Sequence, residues 1–352
     1  MKVLIKLVLA FAVLVIGVLF LTGVLNLSLL MKSVKYSASP QGNTYFTTGS
    51  DYEGNYVFGG AMQLAINELN ANILHSKLQL NLSANDVETR RILNIFNKAE
   101  FTTNDLDLQS YYVKSGYGEQ TITAINTESK AKFPNKSFKD LMLSLSPRDI
   151  ISYAYFLKQV AYTIPFTSNY TTFLNESVKG YKATSVDQKK NVQIVDYKSG
   201  DNFIVKLELK DNSDELYLAK GYDMTNPLDA IKTINSNILR TTMAEDDIFY
   251  APEIHLDMNR NYFGFTGKSL LNNGFNDYVI SYMYEDIKFD MDNVGARVEN
   301  QAVFGGAITG LPEKHTFKSL ELDKPFWVIM KRANSYNPYF VLGVKNSQIM
   351  FK

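Results

Sequence analysis

The chain has 352 residues, 45% of them hydrophobic and 13% aromatic, and its 36 Lys plus Arg balance its 36 Asp plus Glu. That is enough apolar side chain for one large packed domain or two ordinary ones. Zero formal net charge and the lack of any basic run argue against nucleic acid as a partner, and the absence of cysteine excludes disulfides, thiolate metal sites and a cysteine nucleophile.

The N-terminus begins MKVLIK and continues from Leu7 to Met31 without a charged residue. About 20 apolar residues in a helix span a bilayer core. The apolar part of a signal peptide runs to only about 7–15 residues. Residues 1–36 therefore predict an uncleaved single-pass anchor in the cell membrane, with the main domain extracytoplasmic. A cleaved signal, and hence a secreted protein, is the alternative. Ser37 to Asn55, rich in Ser, Gly, Thr and Asn, reads as a linker, which leaves 56–352 as the folded domain.

From Tyr56 the pattern YVFGGAMQLAINELNANILH places Met62, Ile66, Leu69 and Ile73 on one helical face, entered through Gly59-Gly60. VETRRILNIFNKA, from Val87, is a second helix, and Leu106 to Ile122 alternates as strand in part. SFKDLMLSLSPRD predicts a short helix stopped at Ser146-Pro147. IISYAYFLKQVAYTIPF, apolar throughout, predicts a strand buried on both faces. NVQIVDYKSGDNFIVKLELKD is a hairpin turning at Ser199-Gly200-Asp201. Asn226-Pro227 caps the helix PLDAIKTINSNIL. IFYAPEIHLDM is a strand interrupted by Pro252 and so placed near an edge, and SLLNNGF a helix ending at glycine. DIKFDMDNVGARVENQAV is an alternating strand running into small and polar residues, followed by a long loop and the hairpin KPFWVIMKRANSYNPYFVLGV. Many strands and several helices without βα alternation give an α+β fold.

Catalytic motifs are missing. His75, His255 and His315 stand singly, and GxSxG, a P-loop, HExxH and GxGxxG do not occur. Glu245-Asp246-Asp247 reads as an exposed acidic turn. The residues predict no enzyme, no metal and no cofactor.

The order of segments resembles the serpin family, and in particular a divergent bacterial member. LSLSPRDIISYAYFLKQVAYTIPF resembles the family's helix leading into a central strand of the main sheet, with its Pro165-Phe166 ending. FLNESVKGYKA with the following hairpin, IFYAPEIHLDM with SLLNNGF, the acidic strand running to Gly295, and the C-terminal hairpin with Pro325-Phe326 and Phe340-Val341-Leu342-Gly343 follow in family order. The resemblance implies a large mixed main sheet, smaller sheets, surrounding helices and an exposed reactive-centre loop. It implies inhibition of a serine protease, with the loop cleaved as bait and then inserted into the main sheet.

It also implies sites. The hinge falls at Gly295, Ala296, Val298 and Ala302; from Ala296 on these alternate with Arg297, Glu299 and Gln301, and Asn300 breaks the inward parity. Counting back from Pro325 puts the scissile bond at Lys314-His315, which suits a trypsin-like target; counting forward from Gly295 puts it at Thr309-Gly310. An ordinary solvated turn at LPEKH is the plain alternative. The sequence departs from the family where Ser-Pro and a further Ser are replaced by Gly59, Gly60 and Met62. Ser152 stands where Asn is expected and Glu285 where His is expected. These departures and the polar hinge favour the second reading, a non-inhibitory binding or structural protein on the same scaffold at the cell surface. Either reading gives a monomer attached to the membrane by its N-terminal helix.

Overall fold

The computed structural model describes residues 50–52, 54–134, 140–237, 240–296 and 316–352. The N-terminal apolar stretch lies outside them, and no helix among the described residues is long and apolar enough to cross a membrane.

The chain opens with β1 (Ser50–Tyr52), inside the stretch read as linker, paired to β2 (Asn55–Gly59). Gly60 donates its N–H to the Tyr339 carbonyl at 3.1 Å and starts helix α1 (Ala61–Leu69), which ends in a π-turn at Asn70–Leu74. Helix α2 (Val87–Phe96), strand β3 (Tyr111–Tyr117), helix α3 (Gly118–Lys132), strand β4 (Ile150–Phe156) and the short β5 (Val160–Ala161) follow. Next come β6 (Thr167–Phe173), β7 (Glu176–Lys182), the short helix α4 (Val186–Lys190) and the hairpin of β8 (Val192–Ser199) with β9 (Asn202–Leu207). Strand β10 (Asp214–Lys220) leads to helix α5 (Leu228–Ser236), β11 (Thr241–Thr242), β12 (Ile248–Pro252) and β13 (Ile254–Asn261). The last part holds β14 (Tyr284–Met291), β15 (Gly295–Ala296), β16 (Ser319–Glu321), β17 (Phe326–Arg332) and β18 (Pro338–Val344).

The largest sheet runs β1-β2-β18-β17-β10-β9-β8-β11. It is antiparallel throughout rather than mixed, because hairpins or long returns join its strands; the parallel pair is β12 with β16, in a second sheet of order β16-β12-β7-β6. Its centre is the C-terminal hairpin, where every residue of β18 is buried and Trp327 lies over Gly343 on the opposing strand. The Trp327 indole N–H donates to the Asp223 carbonyl at 3.0 Å, so the ring is both packed and satisfied. The residues expected to form the main sheet instead make two ribbons, β3 with β4 and β13 with β14. Phe289 of β14 stacks on Phe340 of β18 at 4.5 Å between ring centres, which seats that ribbon on the large sheet.

Several local expectations change. Asp140–Ser146 is not helical; it alternates Leu141, Leu143 and Leu145 inward with Met142 exposed, and Asn126 of α3 pairs with both the N–H and the carbonyl of Leu141. Leu270 to Phe275 makes a bridge and a turn rather than a helix, with Gly274 at φ +83°. The apolar run from Ile150 breaks after Phe156, and within β4 only Ile151 is fully buried. Pro252 does not interrupt an edge strand: it ends β12, which lies between β16 and β7, and the chain then changes sheet into β13. Of the acidic triplet, Asp247 is buried, accepting from the N–H groups of Ala244 and Lys318.

Candidate functional site

The site is built where the two ribbons fail to join. Among the described residues β4 pairs only with β3 and β14 only with β13. Their facing edges wall a cavity of about 650 Å³, floored by Met62, Ala65 and Ile66 of α1 and lined by Leu143, Tyr153 and Tyr284. Strand edges carry unpaired backbone N–H and C=O groups, so a cleft with one edge on each side accepts one further strand.

α1 holds both walls. Ser152 of β4 donates its hydroxyl to the Ala65 carbonyl at 2.6 Å, and Met62 N–H donates to Glu285 of β14 at 3.3 Å. Glu285 also accepts from the Tyr262 hydroxyl at 3.1 Å. Burial pushes its carboxyl up to about 7, against the opposing pull of nearby Arg260 and these two hydrogen bonds. Gly59 leaves room for it: a Cβ there would sit 3.2 Å from the Glu285 Oε1.

The hinge lies past the ends of both walls. Asp292 accepts from the N–H groups of Val294 and Gly295, at 2.8 and 3.1 Å, and turns the chain out of β14. The Asn293 and Val294 carbonyls then accept from Phe166 and Tyr162, at 2.8 and 3.1 Å. Gly295 and Ala296 pair with Ala161 and Val160. Gly295 has φ +125°, and a Cβ there would lie 2.6 Å from the Ala161 Cα, so only glycine fits this crossing. The predicted hinge residues Gly295 and Ala296 thus pair with β5, past the ends of β4 and β14. Val298, Ala302, Thr309, Gly310, Lys314 and His315 lie outside the described residues.

The far base of the loop is fixed independently. β16 pairs in parallel with β12, and the Lys318 carbonyl accepts from Ile248 N–H at 3.1 Å. The buried Lys220 ammonium donates to the Gly200 and Glu321 carbonyls, at 2.9 and 2.8 Å, and to Asp323 at 2.5 Å. The sequence reading missed Asp292, Asp247 and Lys220; an Asp two and three residues before the N–H groups it accepts is the one signal that could have found Asp292.

The chain is similar over most of its length to several solved structures. These include the mouse protein-Z dependent protease inhibitor, at 15% identity and a TM-score of 0.49, covering 84% of this chain and 91% of that one. A serine protease inhibitor of Manduca sexta, serpin-12, is 13% identical with a TM-score of 0.48 over 88% of this chain and 98% of that one. Human thyroxine-binding globulin, solved with thyroxine, is 10% identical with a TM-score of 0.47, covering 83% of this chain and 92% of that one. These likenesses are of fold alone. No family model matches the chain, and no curated protein does.

Proposed function

We propose that this is a serpin-type inhibitor of a serine protease, whose reactive loop is cleaved and then enters the cleft between β4 and β14. The observation that carries the proposal is the cleft itself: two strand edges facing one cavity, with Gly295 and Ala296 pairing to β5 just past their ends. The segment order in the sequence supports the same reading. Strand addition gives the inserted residues backbone partners on both sides. The stored difference between the two arrangements would be released on cleavage and would distort an attached protease.

The target is a trypsin-like enzyme, with Lys314-His315 as the scissile bond. The chain acts outside the cytoplasm, held to the membrane by residues 7–31. Incubation with trypsin should give an adduct that survives SDS, and Lys314→Ala should abolish it. An adduct unchanged in that variant would move the bond to another position, Thr309-Gly310 first. Cleavage without any adduct would favour the second reading, a non-inhibitory binding protein, which Glu299, Asn300 and Gln301 in the hinge support.

A further inference from the structure

We propose that Glu285 is a proton-controlled latch that clips β14 to the first turn of α1 and so sets how readily the cleft widens. The contact stands whatever enters the cleft; its consequence for inhibition rests on the insertion reading above. Glu285 is the first inward-facing residue of β14, at the end away from the hinge, and is 5% exposed. Its oxygens are spent on a helix N–H, from Met62, and on the Tyr262 hydroxyl. The helix N–H is one of the donors that a helix start leaves without an internal partner.

The charged and titratable groups that face it are Arg260, its cross-strand partner on β13, Tyr262 beyond that strand, and Asp286 beside it. α1 and β2 reach it through the Met62 N–H and the Gly59 backbone, and Tyr56 of β2 acts electrostatically on Tyr262. Arg260 lies against the Tyr262 ring, 4.6 Å from its centre. Burial outweighs this help, and the carboxyl keeps its proton up to about 7.

The neutral acid keeps both contacts: one oxygen accepts from the Met62 N–H, and the other stays within hydrogen-bond reach of the Tyr262 hydroxyl. Once the proton leaves, a full charge sits on a buried side chain and gains by reaching water. The pKa of the latched form is raised above its value in water. Its stabilisation is therefore complete at low pH and is lost as pH rises through about 7. If the opened state restores an ordinary carboxyl, opening becomes about tenfold easier between about pH 6 and about pH 8.

The test uses the intact, uncleaved chain. Amide exchange in the first turn of α1, corrected for intrinsic chemistry, should quicken about tenfold over that pH range. In Glu285→Gln, which is neutral and of the same shape, it should stay slow and flat. A variant that keeps the wild-type pH profile would overturn the proposal. Carbon-13 NMR of the wild-type Glu285 carboxyl gives a check that needs no variant: a midpoint near 7 supports the latch, and an ordinary midpoint of about 4–5 overturns it. Because neither measurement involves loop cleavage, loss of the latch and loss of the insertion reading are separate results.

Discussion

Cleaving the loop should make this protein more stable, and the size of the gain follows from the cleft. β4 offers a facing edge of seven residues. A strand of that length between β4 and β14 forms about 14 backbone hydrogen bonds, worth about 1 kcal/mol net each. Three or so apolar side chains entering the cavity add about 6 kcal/mol. Ordering seven residues opposes this by about 10 kcal/mol. The remainder is about 10 kcal/mol, which at about 2 °C per kcal/mol for a domain of this size raises the Tm by roughly 20 °C. Scanning calorimetry before and after limited trypsin treatment measures it, with mass spectrometry to locate the cut. An unchanged Tm after a verified cut within residues 297–315 would refute insertion, because a strand that docks cannot leave stability where it was.

Other substitutions test the frame around the cleft. Gly343→Ala would place a methyl 2.7 Å from the Trp327 ring and should lower stability by about 1–3 kcal/mol, seen as a lower urea midpoint at unchanged slope. Gly295→Val forces a branched side chain into positive φ and against Ala161. It should release the β5–β15 pairing, exposing the amides of Tyr162 and Ala296 to exchange while the core keeps its protection. Lys220→Met strips a donor from Gly200, Glu321 and Asp323 and should cost about 1–3 kcal/mol, with faster proteolysis around Ser319.

Local patterns were strong where one element faces one environment. The alternation of Asp286 to Met291, the helical spacing of Met62 and Ile66, and the apolar runs FWVIM and YFVLGV of the C-terminal hairpin each read directly as β14, α1 and the β17–β18 centre. Leu141 to Leu145 misread because leucine suits helices, whereas here Asn126 supplies strand-like partners to an extended chain. The run from Ile150 looked doubly buried because apolar density alone cannot show that one edge of the strand faces a cavity.

The sequence by itself determined the order of strands and helices, the buried hairpin, and a glycine followed by small and polar residues at the foot of a long loop. Those are properties of neighbouring residues, and side-chain periodicity carries them. Only the tertiary structure decided that the expected main sheet is two ribbons with a cleft between them, and that Gly59 and Glu285 answer each other across 225 intervening positions of chain. A hydrogen bond from a helix start to a distant strand, and the space a missing Cβ leaves for it, have no period along the chain; they exist only once the two elements are packed.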